Sequence, residues 1–292
     1  MNTPAFLEIG ATKVPVTSLE KIMYPQKSYT KADVIDYYIK IAPYILPYLK
    51  NRPFSMIPYV NGAEGESFFQ KQKPQNAPKW LKSVPVKSST RTIDYCLIND
   101  LRSLIYMANR GCLEMHCWFS RHPALDKPDC AVFDIDPSGE TGFPEGKAAA
   151  LLIKAALDGY GLWSVAKTSG KGGVHVYVPI RPQPYEYVRN FTSAICRAVV
   201  DARPDLCTTE RTIAKRGDRV YLDAVQLGRG KTLPAPYSLR ATPGATVSAP
   251  MTWEELGRAA CKPESYTMSN ILGRIERVGD LFEPVYGMKQ EL

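Results

Sequence analysis

No apolar run in the sequence approaches the roughly 20 residues that a membrane helix needs. Its first residues, MNTPAFLEIGATKVPV, carry neither the basic start nor the apolar stretch of a secretory signal. Both absences predict a soluble, cytoplasmic chain with no membrane partner. A disulfide framework is also missing, because seven cysteines are an odd number and lie scattered from Cys96 to Cys261; reduced thiols are expected. Cys112, His116, Cys117, His122 and Cys130 fall close together, but their spacings match no zinc finger or ribbon. Gly170-Lys171 and Gly230-Lys231 both fail as Walker A loops. Val165 stands where the first glycine before Gly170-Lys171 should be, and Val225 does so before Gly230-Lys231-Thr232. There is no internal repeat and no Gly/Ser linker, and the 24 prolines are spread along the chain. One domain over 1–292, with two lobes at most, is the expectation.

What is present is the composition of a globular protein, 292 residues with 45% hydrophobic content. Lys plus Arg exceed Asp plus Glu by 37 to 29, a net charge of +8 with a pI near 9.0, which favours a polyanionic partner such as nucleic acid or a nucleotide.

Thr30 followed by Asp33 predicts a capped helix start, and Val34, Ile35, Tyr38, Ile41, Ala42, Ile45 and Leu49 continue it at helical spacing. Pro43 and Pro47 should bend or break it. Further helices are predicted over Pro144 to Asp158, closed by Gly159, and over Pro184 to Val200. Strands are predicted at Ala131 to Asp136, Trp163 to Thr168, Val174 to Pro179 and Arg219 to Gln226. Strands and helices mix without strict alternation. The fold class is therefore α/β or α+β with a mixed or antiparallel sheet.

In Cys130-Ala-Val-Phe-Asp-Ile-Asp-Pro137, the period of two places Asp134 and Asp136 on one face, about 6.6 Å apart along the strand. Two such carboxylates can share a pair of divalent cations; equally, they can be the wet face of a strand. Asp223, on a face with Tyr221 and Val225 that alternates with Val220, Leu222 and Ala224, offers a third carboxylate in an apolar setting, where Mg²⁺ or Mn²⁺ would compensate it. Thr168-Ser-Gly-Lys-Gly-Gly-Val-His175 lies between strands, and its glycines allow backbone N–H groups to face an anion beside Lys171. A plain strand-connecting turn is the simpler alternative. His175 and His116 read first as satisfied core histidines and otherwise as site residues, and Phe68-Phe69-Gln70-Lys71 reads as a core anchor or a base-stacking platform with Lys71 on a phosphate.

Together these residues resemble the polymerase domain of bacterial ligase D, a branch of the archaeo-eukaryotic primase superfamily. The likeness runs through Tyr24-Pro25, Tyr29-Thr-Lys-Ala-Asp33, Asp36-Tyr-Tyr38, Arg52-Pro53 and Ser67 to Lys71. It continues through Phe133 to Pro137, Ser169 to His175, Tyr221-Leu-Asp223 with Gln226, Lys231-Thr232, Pro236 to Arg240, and Trp253. The resemblance implies two β-sheets flanked by helices. It implies a template-dependent nucleotidyltransferase that fills gaps and extends broken ends in non-homologous end joining, using two Mn²⁺ or Mg²⁺ ions and NTP or dNTP with a preference for ribonucleotides. Asp134, Asp136 and Asp223 match the metal ligands. His116, Ser169, Lys171, Gly172, His175, Gln226, Lys231 and Arg240 match segments that hold the nucleotide, and Phe68 and Phe69 the template-stacking pair. Lys21 and Lys31 match lysines that grip a 5′-phosphate, and Arg216 matches an arginine near the site. A DNA-end-binding portion over about 1–125 and a metal and nucleotide portion over about 126–292 follow from this.

Two departures stand out. Lys171 is two residues after Ser169 where three is common, and Leu227 follows Gln226 where asparagine is frequent. A ligase's Lys-x-Asp-Gly is absent, since Ala155-Ala-Leu-Asp-Gly159 has Ala156 at the lysine position. The resemblance therefore implies a Ku partner and a ligase supplied in cis or in trans, at broken DNA ends in the nucleoid. A de novo primase, a two-metal nuclease and a non-catalytic nucleic-acid-binding module are the alternatives.

Overall fold

The computed structural model of the chain describes residues 5–88 and 90–292. The strands are β1 (Ala5–Ile9), β2 (Thr12–Val16), β3 (Ile22–Tyr24), β4 (Tyr29–Thr30), β5 (Pro53–Pro58), β6 (Ser83–Lys87), β7 (Thr92–Leu97) and β8 (Cys112–Cys117). They continue with β9 (Cys130–Asp136), β10 (Val165–Thr168), β11 (Val174–Pro179), β12 (Cys207–Thr208), β13 (Val220–Leu222), β14 (Leu233–Pro234) and β15 (Pro250–Met251). Two sheets dominate, a six-stranded one in the order β12-β13-β9-β11-β10-β15 and a five-stranded one in the order β14-β8-β5-β7-β6. Only β12 and β13 pair in parallel among the strands of these sheets. The expected mixed α/β class with two sheets is the observed one.

Helix α1 (Lys31–Leu49) starts on the predicted capping box: Asp33 N donates to Thr30 Oγ1 at 3.3 Å and Thr30 N to Asp33 Oδ2 at 2.7 Å. Its apolar stripe is buried as the spacing requires. Of the expected bend or break at Pro43 and Pro47, a break does not occur: the helix runs on through both. Four residues apart, they occupy the same exposed face, so the rings and the carbonyls that lose amide partners stay out of the core. The helix end is closed by arginines. Arg52 donates to Tyr48 O at 2.8 Å, and Arg121 to Pro47 O at 3.1 Å and Lys50 O at 2.5 Å. Both arginines meet on Asp129, just before β9, at 2.6 and 2.8 Å. Burial alone would raise the Asp129 carboxyl, but the Arg52 and Arg121 charges bring it down to about 2.

Helix α2 (Leu101–Asn109) packs on α1 and on β8, while α3 (Phe143–Gly159) and α4 (Tyr185–Ala202) cover the six-stranded sheet. The last two overrun the predicted ends by one or two residues. Residues of both sheets belong to one buried apolar cluster, with a smaller cluster around Trp118, Tyr95 and Val84 on the five-stranded sheet. All seven cysteines are buried and unpaired. Among the described residues no helix is long and apolar enough to cross a membrane.

Candidate nucleotide and DNA site

Asp134 and Asp136 stand at the C-terminal end of β9, the first buried and the second half-buried. The predicted strand over Arg219 to Gln226 is shorter than expected, ending at Leu222. The reason is local: Asp223 Oδ1 accepts Val225 N at 3.0 Å and Tyr221 OH at 3.2 Å, and Gln226 N bonds Asp223 O at 3.2 Å, which turns the chain. Asp223 nonetheless stays beside the pair, its N donating to Asp134 O at 2.9 Å. Burial, then the charge of Asp223, pushes the Asp134 carboxyl up to about 7; burial, then Asp134 and Asp223, does the same to Asp136. Asp134 Oδ1 is buried and accepts no hydrogen bond, although His175 Nε2 lies 3.2 Å away without the alignment for one. Among the described residues, no three His, Cys, Asp or Glu side chains already form a closed ligand set. The site instead holds hard oxygen donors short of positive charge, which fits divalent cations of the Mg²⁺ or Mn²⁺ type.

Asp134 and Asp136 line a cavity of about 490 Å³ together with His116, Ser169, Lys171, Gly172, His175 and Arg240; Asp223 stands beside them without lining it. Six of the eight nucleotide residues expected from the sequence are thus in one place. Gln226 and Lys231 do not line it. Gln226 Nε2 donates to Thr232 O at 2.9 Å, bracing the loop that carries the exposed Lys231. Leu227 is core.

The Ser169–His175 loop is a tight β10–β11 turn in which Lys171 N and Gly173 N donate to Ser169 Oγ at 3.2 and 3.0 Å. Two of the amides expected to face an anion are therefore engaged within the loop. A Cβ at Gly173 would stand 2.6 Å from Ile135 O and 3.0 Å from Asp136 Oδ1, so only glycine lets the loop approach the acidic strand this closely. Arg240 donates to Ser169 O, and Lys167, buried, lies 2.7 Å from His175 Nδ1. Lys167 and Glu114 were invisible as site residues in the sequence. Both sit on strands among apolar neighbours, where only the fold shows what they face.

Phe68 and Phe69 are 58% and 61% exposed, which removes the core-anchor alternative, and Phe69 meets the His116 ring edge-on at 6.0 Å. Lys71 is exposed beside them. Arg216 lies 3.6 Å over the Tyr221 ring and so reaches Asp223 through that tyrosine. Lys21 and Lys31 line a separate cavity of about 320 Å³ with Thr17, Asn109 and Arg110. Lys31 is buried, its Nζ donating to Thr17 O at 2.7 Å, and burial with the charge of Lys21 lowers its pKa. Arg110 joins these lysines only through the fold.

The sequence model described as "LigD, primase-polymerase domain" matches residues 30–282. The chain is 36% identical over 285 residues to the bifunctional non-homologous end joining protein LigD of Bacillus subtilis, covering 96% of this chain and 45% of that protein. It is 32% identical over 276 residues to the multifunctional LigD of Mycolicibacterium smegmatis, covering 94% and 36%. The chain spans less than half the length of these relatives. The polymerase domain of Mycobacterium tuberculosis ligase D, solved in complex with DNA, superposes with a TM-score of 0.88 at 30% identity, covering 94% of this chain and 98% of that one. On matches of this extent, the chain belongs to the LigD primase-polymerase domain family, a family of nucleotidyltransferases.

Proposed function

We propose that this chain is a template-dependent nucleotidyltransferase that fills gaps and extends ends in bacterial non-homologous end joining, with ribonucleotides preferred. The observation that carries the reading is a pair of under-neutralised carboxylates, Asp134 and Asp136, in a cavity whose other wall is cationic, with Asp223 hydrogen-bonded beside them. Asp134, Asp136 and Asp223 would hold two Mn²⁺ or Mg²⁺ ions, which when bound activate a primer 3′-hydroxyl and neutralise the departing pyrophosphate. Lys171 and Arg240 offer charge to a triphosphate, Phe68 and Phe69 offer faces to template bases, and Lys231 and Arg216 add positive charge around the site. Ku and a ligase, in cis or in trans, complete the repair. We read 1–292 as one domain in which about 1–125 meets the DNA end and about 126–292 carries the chemistry. Extension of a primer across a gapped duplex, with rNTPs and dNTPs compared in Mg²⁺ and Mn²⁺, tests it; shortening of the primer would instead indicate a nuclease.

Ser169 retains its hydroxyl proton for a 2′-oxygen, but its oxygen already accepts two loop amides. Ser169→Ala is thus expected to reduce ribonucleotide preference by about 1–3 kcal/mol and to slow both substrates through the loosened turn. Kinetics with paired rNTP and dNTP check this; an unchanged ratio places Ser169 in the turn alone.

Replacing Lys21 and Lys31 with alanine is expected to weaken binding to a gapped duplex with a 5′-phosphate by about tenfold or more, and hardly to affect the 5′-hydroxyl duplex. Two cations pressed together around one cavity favour a terminal phosphate over diffuse backbone contact. Anisotropy at fixed salt decides: equal losses reduce them to non-specific charge and favour a de novo primase.

A further inference from the structure

Where the end of α1 meets the chain entering β9, there is a further cavity of about 320 Å³ that the chemistry above does not use. Arg121, Lys127 and Lys289 line it together with Pro47, Asp129 and Tyr286. It is remote from both sites already described. At the rise of a strand, Asp129 and Asp134 are about 16 Å apart, with the cavity before β9 and the metal-type carboxylates at its other end. Lys31, in the cavity of the DNA-end lysines, and Pro47 stand near opposite ends of α1, about 24 Å apart along the helix.

The acceptors around this cavity are taken, and its donors are not. Asp129 Oδ1 accepts Arg52 Nη2 at 2.6 Å, and Oδ2 accepts Arg121 Nε at 2.8 Å. Arg121 Nη1 covers Pro47 O and Lys50 O, the carbonyls at the end of α1 that would otherwise repel an anion. Tyr286 OH donates to Tyr44 O at 3.0 Å. Left over are Arg121 Nη2, which has no partner among the described residues, and the ammonium groups of Lys127 and Lys289. Both lysines are exposed, and the other acids beside them in sequence are engaged elsewhere: Asp126 with Arg229 at 2.5 Å and Glu291 with Arg181 at 2.7 Å. Since Arg52 and Asp129 cancel, Arg121, Lys127 and Lys289 leave the cavity strongly positive.

We propose that this cavity binds a terminal phosphate group, carried by the 5′ end of a nucleic-acid strand or by a free oligophosphate such as pyrophosphate. A terminal phosphate brings close to two negative charges and three acceptor oxygens, which match one guanidinium nitrogen and two ammonium groups. A carboxylate or a backbone phosphodiester brings one charge and two free oxygens, and would leave a cation unmatched. The inference is independent of the polymerase reading, because neither a divalent ion nor any carboxylate of that site enters it.

In ¹H–¹⁵N spectra the amides of Arg121, Lys127 and Lys289 report this cavity, and that of Gly172 reports the nucleotide cavity in the same sample. With chelator present and no divalent ion, inorganic pyrophosphate is expected to move the first three signals. Lys127→Ala combined with Lys289→Ala should weaken that response, followed at Arg121, by about tenfold or more in Kd. A 5′-phosphorylated oligothymidylate that moves the same signals identifies a strand end as the source; pyrophosphate acting alone identifies a free oligophosphate. A 5′-hydroxyl oligothymidylate or a glutamate-rich peptide that moves them as far as pyrophosphate does overturns the proposal, and so does no movement at all. An undiminished response in the double variant overturns it too, and the wild-type spectra decide even if that variant does not fold.

Discussion

Asp134→Ala, Asp136→Ala or Asp223→Ala should reduce nucleotide addition by at least about 100-fold while DNA binding is largely kept. The carboxylates are clustered at one end of β9, and the cavity of Lys21 and Lys31, proposed to take a DNA end, is lined by a different set of residues. Gapped-duplex extension beside anisotropy separates the two effects, and near-normal extension in any of the three variants would remove the metal assignment. The same site sets a pH dependence. With the Asp134 carboxyl raised from 3.8 to about 7, the folded protein keeps a proton across that window that the unfolded chain has lost. Metal-free stability should therefore fall as pH rises from about 4 to 7. Asp134→Asn should flatten that slope and raise the metal-free melting temperature at pH 8, by about 2–4 °C for each kcal/mol relieved. Mn²⁺ should raise the wild type more than the variant. A wild-type melting temperature independent of pH over this range would contradict the electrostatics.

Asp129→Asn should destabilise the fold by about 3–5 kcal/mol, because it leaves the fully buried Arg52 guanidinium without its counter-charge. Arg52 also stacks 4.5 Å from the Tyr48 ring centre and donates to Tyr48 O, so it cannot swing to water without opening the end of α1. Arg52→Met should cost less, since Arg121 still neutralises Asp129. Urea unfolding of the three proteins orders them; equal stability of wild type and Asp129→Asn would show that the pair contributes nothing. Because the Asp129 carboxyl is depressed to about 2, its contribution is complete above about pH 4 and is lost as pH falls through 2.

Much of this was legible in the sequence where a local rule decides the outcome. The Thr30–Asp33 box starts α1, the alternation of β9 puts two carboxylates on a face, and Val174–Pro179 is a strand over the predicted residues. Local rules failed where another surface or side chain intervened. The prolines of α1 are tolerated because the helix presents them outward, a property of packing. The strand before Asp223 stops because that side chain bonds its own following backbone in place of extending the ladder. Glu114 lay within a strand of Cys, Leu and Met, and its importance comes from Lys171 and Arg240, which are distant in sequence.

The knot of Arg52, Arg121 and Asp129 ties the stretch of chain before about residue 125 to the stretch after it. Asp129 lies just past the division near residue 125, and two arginines from before that division bind it. In the other direction, β14 leaves the later portion to pair with β8 in the earlier sheet. Each portion thus completes the other's hydrogen bonding and charge balance. Cut at the division, the five-stranded sheet would lose its β14 edge and Asp129 would be parted from both arginines, so the two stretches of chain form a single cooperative unit.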